Sequence, residues 1–323
     1  MRLLHSRERE LRDRYGIGWR ITGVASRRLG WIADAEGLDV SGLLASDPAS
    51  LSQGWARTPG LPNVGEWLRA AKADVLFEAT SLNPRTGQPA IEHLRTALEL
   101  GAHAITANKG PLVHAYDELV DLAAAQGKRF LFESTVLDGA PVFSLFRENL
   151  PVVLLKGFRG ILNSTTNVIL TSMEKGLSFE DSLRKAQDAG VAETDASDDI
   201  DGWDAAVKIA ALVRVLMGVK LDLDKMERVG IRELTGETVR AARAEGNPYK
   251  LVCRAQRSGK GVKASVRPEQ VPLTDPLALV EGTSSVVYFE TDIFPGLAIF
   301  EENPGLEATA YGLLADFIKA VTN

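Results

Sequence analysis

Apolar positions follow two different rhythms along this chain of 323 residues, and the change comes near residue 135. Before it, short near-continuous apolar runs alternate with stretches that are apolar every three or four positions. The runs at 74–79 (DVLFEA), 103–107 (HAITA) and 129–133 (RFLFE) predict strands buried on both faces. A further strand is expected over 19–25 (WRITGVA). The helical period predicts helices over 64–71, 89–100 and 112–126, and a helix over 2–15 that Gly16 ends. Residues 28–60 show no clear period. Strand–helix alternation with short connections means a doubly wound parallel sheet. After residue 135 the pattern predicts helices over 140–149, 163–174, 178–189 and 202–217. Strands are expected over 152–162, 249–256, 261–267, 284–291 and 297–300, which reads as an α+β half with a more open, antiparallel sheet. A last helix begins near Gly305 and Thr309 and presents Leu313, Leu314, Phe317 and Val321. The fold class is therefore α/β, with a doubly wound first part up to residue 134 and an α+β second part after it.

Composition narrows the function. Hydrophobic residues make up 45% and charged residues 25%, an ordinary globular balance. A net charge of −6 argues against a nucleic-acid surface. No apolar run reaches the roughly 20 residues that a membrane helix needs, and the charged N-terminus does not read as a signal peptide. With one cysteine, Cys253, there is no intrachain disulfide, so a reducing cytoplasm is the expected home. The four histidines have no metal-ligand spacing.

The densest chemistry lies at 188–208, DAGVAETDASDDIDGWDAAVK. Six carboxylates fall between Glu193 and Asp204 (Glu193, Asp195, Asp198, Asp199, Asp201 and Asp204), ahead of one lysine, Lys208, and an apolar helical pattern. Asp201 is expected to cap that helix. Asp204 and Lys208 stand four apart, on one helix face. A solvated acidic loop is the default reading of such a cluster. Here the following helix is too apolar to be a surface helix, which points instead to a lysine tuned by carboxylates. The loops after the parallel strands carry Thr80 and Ser81, then Asn108, Lys109 and Gly110, then Ser134 and Thr135. Ligands of doubly wound sheets bind at these carboxyl ends.

NKGPL at 108–112, ILNSTTNVIL at 161–170 and AQDAGVAETDASDDIDGWDAAVK at 186–208 together resemble homoserine dehydrogenase. FEATSLNPRTGQPA at 77–90 and PGLEATAYGLLAD at 304–316 fit the same family. The resemblance runs from Gly16 onward. It implies a nicotinamide-dependent oxidoreductase interconverting L-homoserine and L-aspartate 4-semialdehyde. Lys208 and Lys109 would be catalytic, with Glu193, Asp204 and Asp199 gripping the substrate. Thr80, Ser81, Lys109, Gly190 and Gly305 would meet the cofactor. A monovalent cation such as Na+ would sit on carbonyls of Glu133, Val136, Asp138 and Ala140. A homodimer formed through the second domain is also implied, and no regulatory ACT domain is expected.

Two departures qualify the resemblance. The family opens with a strand and a glycine-rich turn that holds pyrophosphate at a helix N-terminus. Here Met1 falls inside the helix that should follow, and GIGW at 16–19 follows a helix instead of a strand. A start set too late, or a truncated homologue that binds an amino acid without catalysis, would each account for this; the intact later motifs favour the first. The second departure concerns cofactor choice. The position after the second strand reads Ala25-Ser26-Arg27-Arg28, with no acid for a ribose hydroxyl. Ser26 and Arg27 suit a 2′-phosphate, so NADP is expected over NAD.

Overall fold

The computed structural model describes residues 1–27, 29–45 and 61–322. It opens with α1 (Arg2–Ser6) and α2 (Glu8–Tyr15). The single helix expected over 2–15 is broken at Arg7, which serves as the N-cap of α2. Strands β1 (Gly23–Ser26) and β2 (Gly30–Ala33) form an antiparallel hairpin. The strand expected over 19–25 is thus shorter and shifted, and it pairs in this hairpin rather than in the parallel sheet. Its turn is held by Ser26 Oγ, which accepts the Leu29 amide at 3.0 Å. Helix α3 (Val40–Ala45) follows. Helix α4 (Val64–Ala71) starts at Asn63, whose side chain accepts the Glu66 amide. The hairpin docks onto α4 because the Trp67 indole donates to the Ile32 carbonyl at 2.8 Å.

Strands β3 (Val75–Glu78), β4 (His103–Thr106) and β5 (Phe130–Leu131) form a parallel sheet in that order. Helix α5 (Ala90–Glu99) connects the first pair. The second connection, expected as one helix over 112–126, is α6 (Gly110–His114) followed by α7 (Tyr116–Ala125), with the break at Ala115 where φ is −138°. After β5 the chain makes a 3₁₀ turn at Glu133–Thr135, then α8 (Val142–Ser144) and a π-helical turn at Leu145–Asn149. The buried Glu133 carboxylate accepts the Phe143 and Ser144 amides at 2.7 and 2.9 Å, satisfying free donors at the start of α8.

The remaining strands build a six-stranded sheet. They are β6 (Leu155–Ile161), β7 (Glu227–Arg228), β8 (Tyr249–Ser258), β9 (Gly261–Gln270), β10 (Ser285–Thr291) and β11 (Leu297–Glu301), in the order β11-β10-β6-β8-β9-β7. All neighbours are antiparallel except β7 and β9. Phe158, Leu251, Cys253, Val287 and Phe289 face one core, together with Ile169 and Leu170 of α9 (Ser164–Glu174) and Ile209, Leu212 and Val213. Ile161, Val252 and Val286 point the other way, onto Leu277, Ala278 and Val280. Helices α10 (Phe179–Asp188), α11 (Ser197–Ile200), α12 (Trp203–Met217) and α13 (Gly236–Ala244) complete this half. As the apolar pattern required, α12 is an interior helix: Ala205–Val207 and Ile209–Val213 are all buried.

The chain ends in α14 (Leu306–Thr322), which returns to the first sheet. Leu314, Phe317 and Ala320 bury with Leu4, Leu11, Ile17, Ile105 and Leu131. Among the described residues no helix is long and apolar enough to cross a membrane. The start of α14 lies backbone to backbone against the 134–139 turn, and this contact requires two glycines. A Cβ on Gly139 would stand 2.3 Å from the Ala308 carbonyl oxygen, and one on Gly312 would stand 2.3 Å from Ser134 Oγ. Gly139→Ala should therefore destabilise the fold by about 1–3 kcal/mol. Thermal unfolding checks this: the midpoint should fall by several degrees, while Gly18→Ala, at a position with open space around it, should leave it unchanged.

Candidate active site

Asp204 lies in the first turn of α12 and Lys208 one turn later, so both side chains leave the same face. Lys208 Nζ is 3.3 Å from Asp204 Oδ2. The other carboxylate oxygen, Oδ1, lies 3.0 Å from Nζ of Lys109. Lys109 comes from the other half of the chain, at the N-cap of α6 just beyond β4. One carboxylate therefore bridges two ammonium groups from the two halves of the chain. All three side chains are mostly enclosed, with 16–17% of each exposed.

The start of α9 supplies the rest. Lys208 Nζ also donates to the Leu162 carbonyl at 2.5 Å. Asn163 follows, buried, and its Oδ1 caps α9 by accepting the Thr166 amide at 2.9 Å. Its Nδ2 donates to Asp204 Oδ2 at 3.0 Å and to Asp199 Oδ1 at 2.6 Å. In the sequence Asn163 stands only as the first residue of the helix expected over 163–174. Its second task depends on α12 lying beside α9, which no local pattern reveals.

The charges are mutually tuned. Burial by itself would raise the Asp204 carboxyl, but the charges of Lys109 and Lys208 outweigh it and hold the group well below the usual carboxylate range. Burial likewise disfavours the Lys208 ammonium, yet Asp204, and then Asp138 and Asp199, raise its pKa above that of an ordinary lysine. Asp199 is raised by burial and by the neighbouring Asp204 charge. Glu301, at the end of β11, is pushed up to about 7 by burial and by Asp138. This acid went unnoticed in the sequence because it closes a short strand, and what surrounds it comes from other elements. The set can stabilise negative charge growing on a substrate oxygen and move a proton to it.

Of the residues singled out earlier, the structure brings Lys109, Lys208, Asp204 and Asp199 together. Glu193 is exposed, and among the described residues no hydrogen bond or ion pair joins it to either lysine. Asp201 does not cap α12. The cap position is Gly202, and the Asp201 carboxylate instead receives the Arg232 guanidinium at 3.0 and 3.1 Å. Asp195 accepts the Ser197 amide in a local turn. Thr80 and Ser81 are exposed just beyond β3, and Asn108 Nδ2 reaches their carbonyls at 3.0 and 3.5 Å. Ser26 and Arg27 lie at the β1–β2 turn, and Arg28 is outside the described residues. Gly190 follows α10 at φ +70° with open space beside it, and the exposed Gly305 immediately precedes α14. Glu133, Val136, Asp138 and Ala140 form a tight turn in which Ala140 N donates to Leu137 O at 2.8 Å and Asp138 is left-handed at φ +39°. The Ala140 carbonyl already accepts the Val142 amide at 2.8 Å.

Residues 141–318 match the family model of homoserine dehydrogenase, and residues 6–133 match that of the homoserine dehydrogenase NAD-binding domain. The NAD(+)-dependent homoserine dehydrogenase of Pseudomonas canavaninivorans is 34% identical over 320 residues, covering 98% of this chain and 90% of that protein. The homoserine dehydrogenase of Methanocaldococcus jannaschii is 38% identical over 252 residues, 78% of this chain and 74% of that protein. The crystal structure of a proposed homoserine dehydrogenase from Archaeoglobus fulgidus superposes with a TM-score of 0.85 at 32% identity, covering 100% of this chain and 95% of that one.

The bridged pair makes a prediction about proton affinity. In Asp204→Asn the anion that offsets the burial of Lys208 is gone, so the ammonium should lose its proton at lower pH than in the parent, by about one pH unit or more. A pH titration of Lys208 followed by NMR of labelled lysine side chains measures this. An unchanged midpoint would remove Asp204 from the tuning of Lys208.

Proposed function

The chain belongs to the homoserine dehydrogenase family, and from that premise we propose how its residues interconvert L-homoserine and L-aspartate 4-semialdehyde. The observation that supports the mechanism is the Asp204 carboxylate held between Lys109 and Lys208 at 3.0 and 3.3 Å. When bound, the nicotinamide cofactor carries the hydride. In the reducing direction negative charge builds on the substrate's aldehyde oxygen. Lys208 stabilises that charge and delivers the proton, and Lys109 adds a second positive charge at the same face. In the oxidising direction Lys208 receives the hydroxyl proton. Asp204 keeps both lysine side chains aimed at one point. Asp199 and Asp204, with Glu193 of the preceding loop, take the α-ammonium group that substrate and product share.

The residues beyond the parallel strands fit a nicotinamide dinucleotide. The exposed residues Thr80 and Ser81 lie just beyond the carboxyl end of β3, where such sheets take their ligands. We assign cofactor contacts to Thr80, Ser81, Lys109, Gly190 and Gly305. Ser26 and Arg27 are assigned to a 2′-phosphate, which makes NADP the preferred cofactor. Residues 1–134 with 301–323 would form the nucleotide domain and 135–300 the substrate domain. Packing of α14 against Ile105 and Leu131 supports returning the C-terminus to the first domain. The tight turn over Glu133, Val136, Asp138 and Ala140 supports a monovalent cation on its carbonyls. That proposal fails if Na+ and K+ leave thermal stability equal to that in a large organic cation. A homodimer through the second domain is proposed with it, and light scattering giving the mass of one chain would refute it. The buried thiol of Cys253, pushed up to about 12 by burial, is inert and compatible with a cytoplasmic location. The reading as a silent amino-acid-binding homologue is disfavoured, because both lysines and their shared carboxylate are in place.

Homoserine-dependent reduction of NADP+ tests the reading. Lys208→Ala should lower kcat by about a hundredfold or more while leaving the unfolding midpoint near that of the parent; retention of more than about a tenth of kcat would contradict proton transfer by Lys208. With Arg27→Ala, KM for NADP+ should rise severalfold and KM for NAD+ should not, and an unchanged ratio would remove Arg27 from cofactor choice.

A further inference from the structure

Glu78 closes β3 and is 2% exposed, a buried carboxylate directly beneath the exposed loop that begins at Ala79. It belongs to none of the groups assigned above. Its oxygens are nonetheless fully engaged. Oε1 accepts the Thr80 amide at 2.9 Å and the Thr80 hydroxyl at very short range. Oε2 accepts the hydroxyl of Thr106 at 3.0 Å. Thr106 is the register partner of Glu78 at the end of β4. The Thr106 hydroxyl oxygen in turn accepts the Asn108 amide at 2.9 Å. Asn108 is 5% exposed, and it closes the circuit. Its Oδ1 accepts the Gly110 amide at 2.9 Å, and its Nδ2 donates back to the Thr80 carbonyl at 3.0 Å.

The network therefore ties two consecutive strand-end loops together. One presents Thr80 and Ser81; the other holds Lys109 between two residues whose amides are fixed. We propose that Glu78 is a positioning residue for the reaction, which through Thr106 and Asn108 locks the loop that carries Thr80 and Ser81 to the backbone that aims Lys109. A buried carboxylate is an expensive choice for mere packing. What it provides here is acceptor capacity: three donors converge on two oxygens without any donor of its own to clash with them. Around it, the hydrogen bonds from Thr80 and Thr106 and the nearby His93, whose Nδ1 is 3.9 Å away, favour the ionised form against burial. The consequence is that cofactor contact and Lys109 placement are coupled rather than independent.

This inference rests on the assignment of Thr80, Ser81 and Lys109 given above, and the test separates the two. In Glu78→Gln one acceptor oxygen becomes an NH2 donor, so either the Thr106 hydroxyl or the Thr80 donors lose their acceptor. Steady-state kinetics per folded enzyme should show kcat down and KM for the nicotinamide cofactor up, each about tenfold, with KM for homoserine changed less than twofold. In a Lys109→Ala background the same substitution should cost no further kcat while still raising the cofactor KM. A purely structural Glu78 would instead lower the unfolding midpoint and leave both constants of the folded fraction unchanged. That result, or a rise confined to the homoserine KM, overturns the proposal. Should Glu78→Gln fail to fold, Thr106→Val removes the linking hydroxyl at nearly constant volume and must show the same paired change. A parent enzyme that does not oxidise homoserine at all would overturn the site assignment itself, whereas an active parent with an unaffected Glu78→Gln would sink only the coupling.

Discussion

The Asp204 carboxylate is the constraint on which the site depends. It is the only group among those described that touches both lysines, and the lysines come from elements about 100 residues apart in sequence. Each contact is worth roughly 5 kcal/mol of Coulomb attraction at an effective dielectric of about 20, before desolvation is charged against it. Removing the shared carboxylate would leave two enclosed ammonium groups without their anion, at a cost of about 3–5 kcal/mol, whereas losing one lysine leaves Asp204 paired with the other. Asn163 and the Leu162 carbonyl turn this attraction into a fixed geometry. They absorb hydrogen-bonding capacity that would otherwise let the carboxylate and Lys208 adopt other arrangements. The same three side chains thereby add a polar contact between the two halves of the chain, beside the apolar core that also joins them.

That arrangement follows from the two kinds of sheet. A parallel sheet delivers its loops to one edge, which is why Thr80, Ser81 and Lys109 emerge on the same side. An antiparallel sheet covered by helices on one face offers instead an interior helix whose first turn points at that edge. Helix α12 is that helix, and its apolar residues bury deeply enough to hold Asp204 and Lys208 rigidly. The glycine pair at 139 and 312 lets α14 close over the junction from the first half.

Much of this was legible in the sequence, and the reasons differ by element. The strands at 75–78 and 103–106 announced themselves because parallel strands are apolar on both faces. Helix α12 did so because its apolar period is strong and its acidic lead-in is dense. Lys208 and Asp204 were legible as a pair because helix geometry places positions four apart together. The β1–β2 hairpin was not legible in its setting: its docking depends on Trp67, reached 35 residues away. The breaks at Arg7 and Ala115 were missed because no proline or glycine marks them. Asp201 was misread as a cap because the guanidinium that claims it, from Arg232, is invisible to local pattern. Asn163, Glu78 and Glu301 were missed for the same reason, since their roles exist only between elements.

The central claim is that Lys109 and Lys208 work as one unit through Asp204. A kinetic double-mutant cycle for homoserine oxidation measures this most directly, using Lys109→Ala, Lys208→Ala and the double variant. The account predicts strong non-additivity: the double variant should lose little more in kcat than Lys208→Ala does. If the two losses simply multiply, the lysines act independently, and the bridging role assigned to Asp204 is wrong.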